Sequence, residues 1–136
     1  PNGKSLKCTI TVPKPSFERQ LYAQPIYAIV TGVKDEYIYN DCSTWTINNF
    51  TKKDIVYIEY EIIQYNSRGQ YIKSPYGTYY DDDTYSPKED AYATFWVNEN
   101  TKKARICVKY VTFDDGTEWK NPLYKTWHNK YYGKKY

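Results

Sequence analysis

The side chains that could do chemistry in this 136-residue sequence are one histidine, three cysteines, a run of aspartates and 18 tyrosines. His128 lies in Trp127-His128-Asn129, close to the end of the chain. Any Ser/His/Asp or Cys/His device would have to use that one imidazole. A terminal segment is a poor support for a base that must be held within about 0.5 Å of its working geometry. Cys8, Cys42 and Cys107 fit neither a CxxC redox motif nor a zinc spacing, and their odd number leaves at least one thiol unpaired. Asp81, Asp82 and Asp83, with Asp90 nearby and Asp114 and Asp115 at another tip, offer oxygens to calcium. Yet they form no D-x-D-x-D-G loop, and three consecutive carboxylates on an extended backbone do not converge on one ion. Glu59 and Glu61 share a strand face, but nothing in the sequence sets the separation that paired carboxylates need for glycoside hydrolysis. Glycine-rich phosphate loops are absent. The expectation is a non-enzyme with no catalytic residue, no metal and no cofactor.

The tyrosines carry the positive signal. Tyr76, Tyr79, Tyr80 and Tyr85 collect in one aperiodic stretch with a glycine and a proline, and Trp127, Tyr131 and Tyr132 sit in a lysine-rich C-terminal tail. Tyrosine and tryptophan give large amphipathic contact area at low entropic cost, which suits a protein or glycan ligand. These seven residues are the expected binding set, with the loop outweighing the tail because strands anchor it at both ends. The tail, about 122–136, interleaves aromatic and basic residues as single-stranded nucleic-acid binders do. Net charge argues against that partner: residues 117–136 carry +4 and the rest of the chain −1, with no recognised nucleic-acid module. An anionic polymer or membrane surface is the alternative use of such a tail.

Positioning falls to strands. Cys8, Ile10 and Val12 alternate with threonines, and a second strand starts at Ile26. Ser43, Trp45 and Ile47 read as the inward set of the next. Val56, Ile58, Tyr60 and Ile62 share one face of the clearest strand, with Glu59 and Glu61 on a solvated face. Further strands fall at 70–73, 91–97 (Ala93, Phe95 and Val97 inward), 104–113 (Ile106, Val108 and Tyr110 inward) and 117–119. Parity turns Cys42 and Cys107 away from the core, so no disulfide joins them. The turn at 48–54 and the Asp115-Gly116 hairpin supply the punctuation. With no helix-length amphipathic segment, the expected fold is all-β: one immunoglobulin-like β-sandwich of seven or eight short strands spanning 1–136.

Two motifs carry a resemblance over about residues 40–120. Asn48-Asn49-Phe50-Thr51-Lys52-Lys53 precedes a long strand, and Phe113-Asp114-Asp115-Gly116-Thr117-Glu118-Trp119 closes a hairpin. They resemble the N-N-x-T-x-K turn and F-x-D-G-T-x-W hairpin of small immunoglobulin- or fibronectin-like accessory domains in Gram-positive surface or membrane-anchored proteins. The resemblance implies an extracellular or cell-surface β domain and no particular activity. A start at Pro1 and the lack of methionine point the same way, to a processed or excised fragment; no apolar run of membrane-spanning length and no signal-peptide pattern is present. The functional expectation is an extracytoplasmic binding or accessory module. The alternatives are a secreted antagonist of a host protein and a small carbohydrate-active enzyme using the loop aspartates.

Overall fold

The computed structural model describes residues 14–74 and 76–136, so the strand expected at Cys8, Ile10 and Val12 lies outside the described residues. A short helix, α1 (Phe17–Tyr22), comes first, followed by β1 (Ile26–Lys34), β2 (Asn40–Asn48) and β3 (Ile55–Tyr65). Next are β4 (Tyr71–Ile72), β5 (Tyr79–Asp81), β6 (Ala91–Val97), β7 (Lys103–Phe113) and β8 (Glu118–Lys120), and a second helix, α2 (Tyr124–Tyr131), comes last. Every paired strand is antiparallel. One sheet has the order β1-β2-β6; the larger runs β4-β3-β7-β8, with β5 beside β4 on the same edge of β3. The domain is therefore all-β in its framework, two sheets with no closed barrel. Among the described residues no helix is long and apolar enough to cross a membrane.

The core between the sheets follows the expected parity of the larger one. Ile58, Tyr60 and Ile62 of β3 and Ile106 and Val108 of β7 are buried there, while Glu59 and Glu61 face away. Two bulges then reset the alternation. The register passes from Ile55–Phe113 to Tyr57–Thr112, leaving Val56 half-buried and putting Ile55 in the core. It also passes from Glu59–Tyr110 to Tyr60–Val108. Lys109 is the extra residue, so both Lys109 and Tyr110 lie between the inward Val108 and Val111 and turn to the outer face. Tyr110 is thus no core residue.

In β2 the inward set is the opposite of the expected one. Cys42, Thr44, Thr46 and Asn48 are buried, and Trp45 and Ile47 stand half-buried on the outer face. Partners for polar groups decide this parity. The Tyr60 hydroxyl, sunk in the core, shares a 2.7 Å hydrogen bond with Thr46 Oγ1. Asn48 Nδ2 donates to the carbonyls of Ser86 and Glu89, and the Phe50 amide donates to Asn48 Oδ1. A buried hydroxyl without such a partner would cost more than a half-exposed indole. Trp45 in turn donates from Nε1 to Asp90 at 3.0 Å and stacks on Tyr92.

The C-terminal segment is not a free tail. On the outer face of the large sheet, Ile63, Tyr65 and Cys107 form a second apolar cluster, and Trp127 of α2 seals it at 3% exposure, with Phe17 and Leu21 of α1 alongside. Tyr136 is held as well, its amide donating to the Gly69 carbonyl at 2.8 Å. Gly69 takes φ +74° in the 66–70 hairpin, and a Cβ there would come within 3.3 Å of Tyr136 Cβ.

Cys42 and Cys107 are both free and buried. Cys107 faces away from the core as parity requires but lies under α2, whereas Cys42 points into the core, contrary to expectation. Burial pushes each thiol up to about 12. Both should resist alkylation in the native protein and react in denaturant without reductant, as read by peptide mass. Truncation should separate a docked helix from a loose tail. Trp127→Ala is expected to cost about 3–5 kcal/mol in denaturant unfolding, comparable to Ile58→Ala at about 2–5 kcal/mol.

Candidate functional site

The outer face of β3 carries Tyr57, Glu59, Glu61, Ile63 and Tyr65 in alternation, polar at one end and apolar at the other. At the polar end Glu59 accepts hydrogen bonds from Tyr57 Oη (3.0 Å) and Tyr110 Oη (3.1 Å) and pairs with Lys109 Nζ (3.1 Å). Partial burial pushes its carboxyl up, but these three donors outweigh that and hold it below its ordinary value. The Tyr57 and Tyr110 hydroxyls are pushed up in turn, first by burial and then by the Glu59 charge. Glu61 meets α2, where His128 Nδ1 lies 2.6 Å from Oε1 and 3.0 Å from Oε2.

That contact builds a cleft. His128 stacks on Tyr132 at 4.5 Å, and Tyr132 meets the edge of Tyr71 at 5.6 Å. Across from them stands Tyr76, which packs edge-on to Tyr79. The resulting cleft, about 370 Å³, has Tyr71, Tyr76 and Tyr132 as aromatic walls, with Glu61, Lys73 and Lys109 as its charged groups. Burial, then Tyr132, pushes the Tyr71 hydroxyl up to about 12, so it is a neutral hydrogen-bonding group across the physiological range.

Of the seven residues expected from sequence, Tyr76, Tyr79 and Tyr132 reach this cleft, but Tyr79 does so as a buried support. Its hydroxyl donates to the Trp96 carbonyl at 3.0 Å and accepts from Gln64 Nε2 and Ser74 Oγ. Tyr79 belongs to strand β5 rather than to an irregular loop, which corrects its reading as a surface contact. Tyr80 is exposed and stacks on Tyr57 at the Glu59 end of the same face. Tyr85 is half-buried, its hydroxyl donating to Asp81 Oδ2 at 2.6 Å. Trp127 is core, and Tyr131 packs against it on the far side of α2, so neither faces the cleft.

The cleft residues that sequence reasoning passed over are Glu61, Tyr71, Lys73 and Lys109. A signal for their organiser was present: Tyr124, Trp127 and Tyr131 recur at helical spacing, with Lys125, Asn129 and Lys130 between them. The aspartate run also differs from expectation. β5 ends at Asp81, so the backbone is no longer extended, and oxygens of Asp81, Asp82 and Asp83 lie within 4.8 Å of one another. Asp81 is already engaged by Tyr85 and by the Asp83 amide.

Glu59 gives a pH test. A carboxyl held lower in the folded state than its ordinary 4.5 adds stability above that value, and the contribution is lost as pH falls through the lower folded value. Glu59→Gln should cost about 1–3 kcal/mol near neutrality. The gap from wild type should narrow in acid, which paired unfolding curves at several pH values will read.

The fold has a solved relative in a hypothetical protein from Peptoclostridium difficile 630, known from a 1.85 Å X-ray structure, with a TM-score of 0.63. It is 15% identical, and the match covers 83% of this chain and 94% of that one, a likeness of fold alone. No curated protein matches the chain. A model of a family of unknown function, DUF5780, matches residues 42–134, from within β2 to just past α2, and the chain belongs to that family.

Proposed function

We propose that this domain is a non-catalytic binding module of an extracytoplasmic protein, and that its ligand is a glycan seated in the Tyr71–Tyr76–Tyr132 cleft. The observation that carries the reading is the convergence of three tyrosine rings, Tyr71 from β4, Tyr76 from the approach to β5 and Tyr132 from the end of α2, on one cleft with a carboxylate and two ammonium groups. Sugar rings present apolar faces that stack on such walls and hydroxyls that bond to charged and phenolic groups, and the cleft's 370 Å³ suits a small ligand. Glu59 is spent on three donors and Glu61 on His128, an arrangement that holds a surface in place and presents no free acid and base pair. The extracytoplasmic setting and the immunoglobulin-like reading of the two sheets rest on the turn at 48–53 and the hairpin at 113–119. The rival reading, a small carbohydrate-active enzyme, would use Asp81, Asp82 and Asp83 instead.

A glycan array probed with the full chain, followed by calorimetric titration of the best hit, tests the proposal. Tyr76→Ala and Tyr132→Ala should each weaken binding about tenfold, or about 1.4 kcal/mol, with little change in unfolding temperature. Tyr79→Ala should lower the unfolding temperature. An array without hits, or binding indifferent to both Tyr76 and Tyr132, would remove the cleft from consideration. Hydrolysis of the bound glycan that is lost in Asp82→Asn would favour the enzyme.

A further inference from the structure

Three strands carry the lining of the aromatic cleft onward across the outer face of the large sheet. Thr78, in the cleft wall, and Tyr80 of β5 flank the inward Tyr79, so both turn outward. On β3 the outward residues beyond the cleft's Glu61 are Glu59 and Tyr57. On β7 the cleft's Lys109 is followed by Tyr110, and these neighbours share one face only because of the bulge between them and β3. The face thus continues without a break from the cleft to Tyr57, Tyr80 and Tyr110.

Those three rings form a row. Tyr57, in the middle, stacks on Tyr80 with centroids 5.7 Å apart and planes 18° apart, and lies 5.8 Å from Tyr110. Glu59 fixes the row where it meets the cleft, since it accepts from the Tyr57 and Tyr110 hydroxyls and pairs with Lys109. Rings already held in this way lose little further freedom when something settles on them. Tyr80 nevertheless keeps 52% of its surface exposed, as the outermost aromatic of the row. Four residues of strand separate Glu61 from Tyr57, about 13 Å at about 3.3 Å per residue, and charged groups line that distance.

We propose that the Tyr57–Tyr80–Tyr110 row is a second subsite, and that the ligand is a linear, equatorially linked oligosaccharide with one end in the cleft and its length along β3. The inference rests on the glycan reading of the cleft. A strand offers a straight track. Equatorial linkages keep a sugar chain straight, and equatorial hydroxyls leave C–H faces for the tyrosine rings and rim hydroxyls for Glu59, Glu61 and Lys109. Axial linkages curl the chain away from such a track.

The test titrates the isotope-labelled full chain with cellobiose and cellohexaose, with the matching chito-oligosaccharides, and with maltohexaose as the curled control. In a series that binds, the hexasaccharide should bind about tenfold more tightly than the disaccharide. Tyr80→Ala should bring the hexasaccharide down to disaccharide affinity and leave the disaccharide unchanged, whereas Tyr132→Ala should weaken both. Amide NMR of the unaltered chain gives a reading that does not depend on how a variant folds: the hexasaccharide should shift Tyr57, Tyr80 and Tyr110, and the disaccharide only cleft residues such as Tyr71 and Tyr132. Equal affinity for short and long chains, no shift at the row, equal binding of maltohexaose, or binding of neither straight series would each overturn the proposal. The cleft reading survives any of these if an array glycan still binds in dependence on Tyr76 and Tyr132; an array without hits removes both.

Discussion

The outer face of β3 ends in Ile63 and Tyr65, and covering that apolar end is the constraint on which the rest of the structure depends. Together with Cys107 these side chains would expose a contiguous apolar patch on the large sheet. An eight-residue helix has no standing of its own in water, since nucleation is costly and each added residue returns little. α2 therefore exists because Trp127 fills this patch, and the Glu61–His128 contact fixes where along β3 it sits. The polar-to-apolar gradient along one strand face thus sets both the position and the register of the helix. A helix placed there necessarily divides the surface. Tyr132 falls on one side as a wall of the aromatic cleft, and Tyr131 falls on the other against Arg105.

The opposite wall of the cleft is held by a buried polar hub. Gln64, fully buried, accepts at Oε1 from the Asn98 amide (2.8 Å) and Thr101 Oγ1 (2.9 Å) and donates from Nε2 to the Tyr79 hydroxyl (3.1 Å). Tyr79 passes the link to Ser74 and to the Trp96 carbonyl. One amide side chain so ties β3, β5 and the β6–β7 turn to the segment that carries Tyr76. Every partner is satisfied, which lets a buried network rigidify rather than weaken the site. Tyr76 keeps 42% of its surface exposed because its neighbour Tyr79 supplies the anchor.

Much of the framework was legible in the sequence. Alternation located β1, β2, β3, β6 and β7 to within a few residues, and the hairpin at Asp115-Gly116 lies where its turn residues place it, with Gly116 at φ +83°. What alternation could not supply was parity in β2, because a hydroxyl partner for Tyr60 outweighs the apolar bulk of Trp45 and Ile47. Nor could it supply the two bulges, one of which leaves Val56 out of the core while the other turns Lys109 and Tyr110 outward together. The site was legible only in its tyrosines. Tyr76 and Tyr132 stand out by composition, whereas Glu61, Tyr71 and Lys109 join them only once α2 is recognised as a helix. Its aromatic stripe spans barely two turns between Asn121-Pro122 and Gly133, and the dense lysines around it read as a solvated tail.

The central claim is that the C-terminal segment is a docked helix that completes the domain and shapes the aromatic cleft. Native-state hydrogen exchange across residues 124–131 tests it most directly. If Trp127 and the Glu61–His128 contact hold α2 on the sheet, its amides from Trp127 onward should open only with free energies approaching those of β7. Exchange of these amides at rates of an unstructured peptide, while β7 stays protected, would contradict the account.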